Sequence, residues 1–130
     1  MKYATKKEIG DYGERLAARY LFFHGYRILA RNYRTGPKEL DIIAVRGSVI
    51  SFVEVKTRSY YKEELALAPP PGVAVNAEKQ HHTRRAAMEY LHIHPTRRKP
   101  RMDVVEVCLE KRTDGKRPRL LKLRHMTGAY

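Results

Sequence analysis

Two apolar runs, each carrying a carboxylate where a hydrophobe belongs, constrain this chain more than any other feature. Glu39-Leu40-Asp41-Ile42-Ile43-Ala44-Val45 is followed by the break Arg46-Gly47-Ser48 and then by Val49-Ile50-Ser51-Phe52-Val53-Glu54-Val55-Lys56. Aliphatic, β-branched and aromatic residues at this density favour strands. Gly47 in the first central position suits a type II′ turn closed by Arg46 and Val49, so the runs form a hairpin. In that register Asp41 opposes Glu54, and Glu39 opposes Lys56. Directly opposed side chains on one face lie about 5 Å apart at Cβ. Leu40, Ile42, Ala44, Val53 and Val55 take the other face. Apolar residues on both faces indicate central strands covered on both sides. Carboxylates in such strands are costly unless they bind something, most simply a cation.

Magnesium takes oxygen ligands in octahedral geometry and keeps several waters. Asp41 and Glu54 supply a minimal cradle for it, and the Val55 carbonyl offers a third oxygen. Lys56, two residues after Glu54, projects from the same strand face. Its ammonium can offset charge developing on a phosphorane, or orient and deprotonate a water. Asp41, Glu54 and Lys56 are therefore the candidate catalytic residues for metal-dependent phosphodiester hydrolysis. Mg²⁺ is the expected cofactor, with Mn²⁺ as a substitute. An acid followed by Glu-x-Lys is a weak pattern on its own, and its apolar setting gives it weight. A competing reading has Glu54 and Lys56 paired with each other, or with Arg31 and Glu39, on an exposed sheet edge.

The charge balance supplies a partner. There are 27 Lys+Arg against 14 Asp+Glu, a net charge of +13. Such a surplus repels itself unless a polyanion offsets it. Nucleic acid is expected, DNA more than RNA, and no membrane: no segment is long and apolar enough to span a bilayer, and no signal peptide or lipidation motif is visible. A basic ribosome- or RNA-associated protein remains a rival reading. The single cysteine, Cys108, lies in an apolar run and reads as a small core residue. A cytoplasmic location is expected, and a cysteine-based zinc site is excluded.

The length, 130 residues, suits a single domain over 1–130. Thr5-Lys6-Lys7-Glu8 reads as a capping box. Ile9, Tyr12, Gly13, Leu16, Ala17, Tyr20 and Leu21 follow at helical spacing, and Gly25 suits a left-handed C-terminal cap. Tyr26 to Arg34 is a first, edge-like strand. From Arg58 to Val75 the pattern dissolves into a loop containing Tyr60-Tyr61 and Pro69-Pro70-Pro71-Gly72. Asn76 caps a second helix running to about Ile93, with a thin apolar face of Ala86, Ala87, Tyr90 and Leu91. Thr96 to Arg101 is a basic connector, Met102 to Leu109 a strand, Asp114-Gly115 a turn, and Leu120 to Leu123 a last strand. The order α-β-β-β-α-β-β makes an α/β or α+β core. Lys79, Arg84 and Arg85 on the second helix, with Arg58 at the start of the loop and Arg34 at the end of the first strand, are candidate phosphate contacts. His81, His82, His92 and His94 point apart on a helix and read as surface residues. Tyr60 and Tyr61 suit either base stacking or packing. Asp103 reads as a structural carboxylate.

Several stretches taken in order carry a resemblance. Gly10-Asp11-Tyr12-Gly13-Glu14, Gly25 to Arg34, Glu39 to Ala44, Phe52 to Arg58, and Arg101-Met102-Asp103-Val104-Val105 resemble the YraN-type family of small bacterial proteins of unassigned function. That family is similar to the PD-(D/E)XK nucleases, especially the Holliday junction resolvase-like branch. The resemblance implies a restriction-endonuclease-like core, a mixed central β-sheet flanked by helices. It places Asp41, Glu54 and Lys56 at the catalytic motif and adds Glu14 as a further, water-mediated metal ligand. It implies an endonuclease acting on structured or branched DNA, possible as a homodimer. The alternative is a non-catalytic nucleic-acid-binding accessory protein with a vestigial metal site. The chain departs from the family at Pro37-Lys38 and in the loop after Arg58, where a Phe-Gly pair is usual.

Overall fold

The computed structural model describes residues 5–61, 63–64, 76–112 and 116–130. Its elements are α1 (Lys6–Phe23), β1 (Arg27–Thr35), β2 (Lys38–Arg46), β3 (Val49–Tyr60), α2 (Ala77–Ile93), β4 (Lys99–Glu110) and β5 (Arg119–Met126). This is the order expected from the sequence. The strands form one sheet ordered β1-β2-β3-β4-β5. The first three pair antiparallel, β4 runs parallel to β3, and β5 returns antiparallel on β4. A parallel pair needs a long crossover, which contains α2.

Local chemistry sets both helices. Thr5 Oγ1 accepts from Glu8 N–H at 3.1 Å while Glu8 Oε1 accepts from Thr5 N–H at 3.3 Å, so the capping box is complete. At the other end Gly25 has φ +86, its N–H reaches the Phe22 carbonyl, and the Tyr26 N–H reaches that of Leu21. Those two bonds make a Schellman stop. Asn76 Oδ1 caps α2 by accepting from Lys79 N–H at 2.8 Å.

Each helix covers one sheet face. Ala17 and Leu21 of α1 pack on Ile42, Ala44, Val53, Val105 and Val107. Ala86, Ala87 and Tyr90 of α2 pack on Leu40, Ile43, Val45, Ile50 and Phe52. Ile42, Ile43 and Phe52 are fully buried, and each side chain of that kind contributes about 1.5–3 kcal/mol. No helix among the described residues is long and apolar enough to cross a membrane.

Four expectations are corrected. Leu40 packs under α2 beside Ile43, not on the face of Ile42, so the alternation of β2 breaks at Asp41. The facing stretch of β1 is also irregular, with Asn32 left-handed at φ +52. Cys108 is half-buried rather than core, because Val105, Val107 and Leu109 take the α1-facing positions of β4. Strand β3 continues through Arg58, expected in the loop, since β4 pairs with it as far as Tyr60 and Glu110. Lys99 to Arg101, expected in a connector, already belong to β4. The proline loop and the Asp114-Gly115 turn lie outside the described residues.

Candidate active site

The hairpin register starts as its turn dictates. Arg46 pairs with Val49, and the ladder runs from there to Ile42 and Val53. Gly47 has φ +56, and among the described residues Asn32 is the one non-glycine with positive φ, which fits a type II′ turn. The ladder ends one position before Asp41 and Glu54. There Asp41 turns across the gap, and its Oδ2 accepts from the Val55 N–H at 2.9 Å. Glu39 does not face Lys56. It pairs in register with Arg34, whose guanidinium is 3.9 Å away.

Three elements bring acids to this end of the sheet. Glu54, only 6% exposed, comes from the middle strand β3. Asp41 comes from β2. Glu14 comes from α1, one residue after Gly13. A Cβ on Gly13 would lie 1.9 Å from Thr57 Oγ1, so glycine is what lets α1 rest directly on β3. Asn32 ties the group from β1: its amide donates to Glu14 Oε2 at 3.0 Å and to Glu39 Oε1 at 3.2 Å. Its left-handed backbone suits asparagine better than most side chains.

Burial and the neighbouring Glu54 and Glu14 raise the Asp41 acid to about 7, against the opposing pull of the Val55 N–H and Lys79. Burial also raises Glu14, with Glu39 and Asp11 adding to it and Arg31 opposing. Two ammonium groups sit on Glu54: Lys79 Nζ at 3.5 Å and Lys56 Nζ at 3.8 Å from Oε1. The Glu54–Lys56 pair considered from the sequence therefore exists, but at a buried acid on a central strand. Among the described residues no three His, Cys, Asp or Glu side chains converge as a closed metal cage. Asp41 and Glu54 still suit Mg²⁺, which is commonly held by one or two carboxylates and completed by water and substrate phosphate. A cation there would relieve the crowding that raises Asp41.

The acids form the floor of an open cleft of ≈ 800 Å³. Its walls are basic: Lys6 and Lys7 from the start of α1, Lys56, Lys79, and Lys111, Arg112 and Lys116 beyond the end of β4. Tyr61 also lines it, with Lys111 Nζ 5.0 Å from its ring centre.

Of the five phosphate-contact candidates, Lys79 lines the cleft. Arg58 lies 4.0 Å from Glu106, Arg84 stacks over the Tyr130 ring at 5.2 Å, Arg85 is exposed on α2, and Arg34 pairs with Glu39 at the sheet edge. None of these four lines the cleft. The sequence reading missed Lys6, Lys7, Lys111, Arg112 and Lys116, which only the fold assembles. It also missed Asn32, although an asparagine inside a strand is itself a signal.

Asp103 has a different job. It is fully buried on β4, accepting from Ser51 Oγ at 2.6 Å and from Arg101 through both oxygens at 2.8 Å. His125 Nε2 lies 2.9 Å away, and the Gly128 N–H donates at 2.9 Å.

A five-stranded mixed sheet with two helices, bearing carboxylates beside its middle strand, is consistent with a restriction-endonuclease-like core. The chain belongs to the uncharacterised protein family UPF0102, whose model matches residues 13–107. It is 41% identical over 124 residues to a UPF0102 protein of Chlorobium phaeobacteroides strain BS1, covering 95% of this chain and 94% of the relative. It is 42% identical over 127 residues to one of Alkaliphilus oremlandii, covering 95% and 98%. A third, from Caldanaerobacter subterraneus subsp. tengcongensis, is 37% identical over 133 residues and is covered in full, as is this chain.

Proposed function

We propose that this chain is a Mg²⁺-dependent endonuclease that hydrolyses phosphodiester bonds in structured or branched DNA. One observation carries the reading: a floor of two acids, the buried Glu54 and the half-buried Asp41, lies within walls built from lysine and arginine. The walls suit a polyanion, and the floor repels one unless a cation lies between them. Asp41 and Glu54 would hold the ion, with Glu14 reaching it through water. A bound ion supplies polarisation of the scissile phosphate and a more acidic water. The chain's residues do the rest. Lys56 stands beside Glu54 to offset charge developing on the phosphoryl oxygens. Lys79, now on Glu54, is free to turn to phosphate once a metal neutralises the acid. Lys6, Lys7 and Lys111 hold flanking phosphates.

A branched substrate with two equivalent strands would suit a homodimer, which light scattering tests. The assay for activity compares branched, duplex and single-stranded DNA and RNA at matched salt with Mg²⁺ or Mn²⁺. The expected result is cleavage of branched DNA. Asp41→Asn and Glu54→Gln should lower its rate by more than the roughly 10–100-fold typical of residues that only support metal ligands, while DNA binding survives.

A second reading rests on the two lysines already on Glu54. They neutralise it without a metal, as in a non-catalytic nucleic-acid-binding protein with a vestigial site. Tight DNA binding with no cleavage under any of these conditions would select it, and a preference for RNA in competition would move the partner from DNA to RNA.

A further inference from the structure

The segment after β5 is pinned against the site and places Tyr130 beside the acids. Gly128, at φ +57, donates its N–H to buried Asp103, and the Ala129 N–H donates to the Met102 carbonyl at 2.7 Å. Asp103 is in register with Val53, the residue before Glu54. These bonds carry Tyr130 to a small gap that it shares with Asp41, Glu54, Phe52, Met102 and Thr83. Its phenol lies 2.6 Å from Thr83 Oγ1, and Arg84 covers its ring.

Thr83 joins that contact to the site. It is 5% exposed, and its Oγ1 also lies 3.0 Å from the Lys79 carbonyl and 3.1 Å from that of Gln80. A hydroxyl has one proton, which goes to a helix carbonyl, so the Tyr130 O–H is left to donate to Thr83. Thr83 and Lys79 are one turn apart on the same face of α2. A continuous line therefore runs from Tyr130 through the Thr83 hydroxyl to the backbone of Lys79, whose ammonium rests on Glu54. Tyr130 lies outside residues 13–107, the stretch that the family model matches.

We infer that Tyr130 is a positioning residue: through Thr83 it fixes the first turn of α2 so that the Lys79 ammonium is held on Glu54. The pairing needs neither metal nor substrate, so its test is independent of the nuclease reading.

Lysine accessibility measures it directly. The full chain, without added metal or nucleic acid, is treated with a limiting dose of an amine-acylating reagent, and each lysine is quantified by peptide mass spectrometry. Lys99 and Lys122, exposed and away from the cleft, serve as internal references. Tyr130→Phe keeps the ring under Arg84 and removes only the hydroxyl. Thr83→Val breaks the same line from the other side. In both variants acylation of Lys79 should rise about two- to tenfold relative to wild type, the range that one net hydrogen bond spans. Lys99 and Lys122 should not change. An unchanged Lys79 in folded Tyr130→Phe overturns the inference. So does a rise at all lysines together, which would mark general loosening. Should Thr83→Val fail to fold, Tyr130→Phe decides alone.

Discussion

Burial and two neighbouring carboxylates, Glu54 and Glu14, raise the Asp41 acid to about 7. An unfolded aspartate titrates near 4, so between about pH 4 and 7 the folded chain binds the extra proton. Stability therefore falls as pH rises through that window, by up to about 4 kcal/mol before solvent screening reduces it. Asparagine at this position keeps an oxygen for the Val55 N–H and loses the charge. Asp41→Asn should raise the metal-free Tm at pH 8 by at least about 5 °C and leave it nearly unchanged at pH 4, as read by thermal unfolding. An equal gain at both pH values would contradict the assignment. A residue that destabilises its own fold when ionised is common where function is selected over stability. The sequence showed Asp41 and Glu54 as misplaced acids because their flanks are apolar. It could not show the strength of the coupling, which needs Glu14 delivered from a helix 27 positions earlier than Asp41. Asn32 escaped for a similar reason: its role depends on a left-handed backbone and on two acids distant in sequence.

At the scale of elements, α1 and β3 meet at Gly13 and Thr57. A methyl at Gly13 collides with the Thr57 side chain, so Gly13→Ala should lose about 1–3 kcal/mol in urea unfolding. Thr57→Ala, removing the nearest atom, should recover part of that loss in the double variant. Additive losses would mean that the contact is not the cause. Strands β3, β4 and β5 are joined through Asp103. Burial raises that carboxyl, but the bonds from His125, Arg101, Ser51 and the Gly128 N–H outweigh it and hold it well below the usual carboxylate range. Its contribution is thus complete above about pH 4 and disappears on further acidification, the opposite sign to Asp41. Asp103→Ala removes the shared acceptor of Ser51, Arg101 and the Gly128 N–H, leaving the half-buried Arg101 with the Tyr26 hydroxyl alone, and should cost about 3–5 kcal/mol at pH 7 by urea unfolding. The parts legible from sequence were those that neighbours along the chain determine. The Thr5 capping box, the Gly25 stop, the Asn76 cap and the Gly47 turn all formed as read. The face change at Leu40, the extension of β3 to Tyr60 and the attachment of Tyr130 were not legible. Each is imposed by a partner strand or helix remote in sequence.

For the whole molecule, the surplus of 13 positive charges is partly concentrated where the acids are. Lys6 and Lys7 begin α1, while Lys111 follows β4, yet the topology places all three on one cleft. Binding to DNA should weaken linearly in log salt, with a slope of about 0.9 for each phosphate neutralised. Replacing Lys6 and Lys111 by glutamine should reduce that slope by about 1 to 2 in fluorescence titrations. Lys99→Gln, at the far end of β4, should leave it unchanged. A slope that responds equally to all three would show that charge acts over the whole surface. At the floor of the cleft, Asp41 and Glu54 are proposed to hold a divalent cation together. The most direct test is calorimetric titration of Mn²⁺ into the wild-type protein and into Glu54→Gln. One binding event is expected in the wild type and should disappear in the variant. Equal binding by both, or no binding by either, would contradict that proposal and leave a basic cleft whose acids serve its lysines.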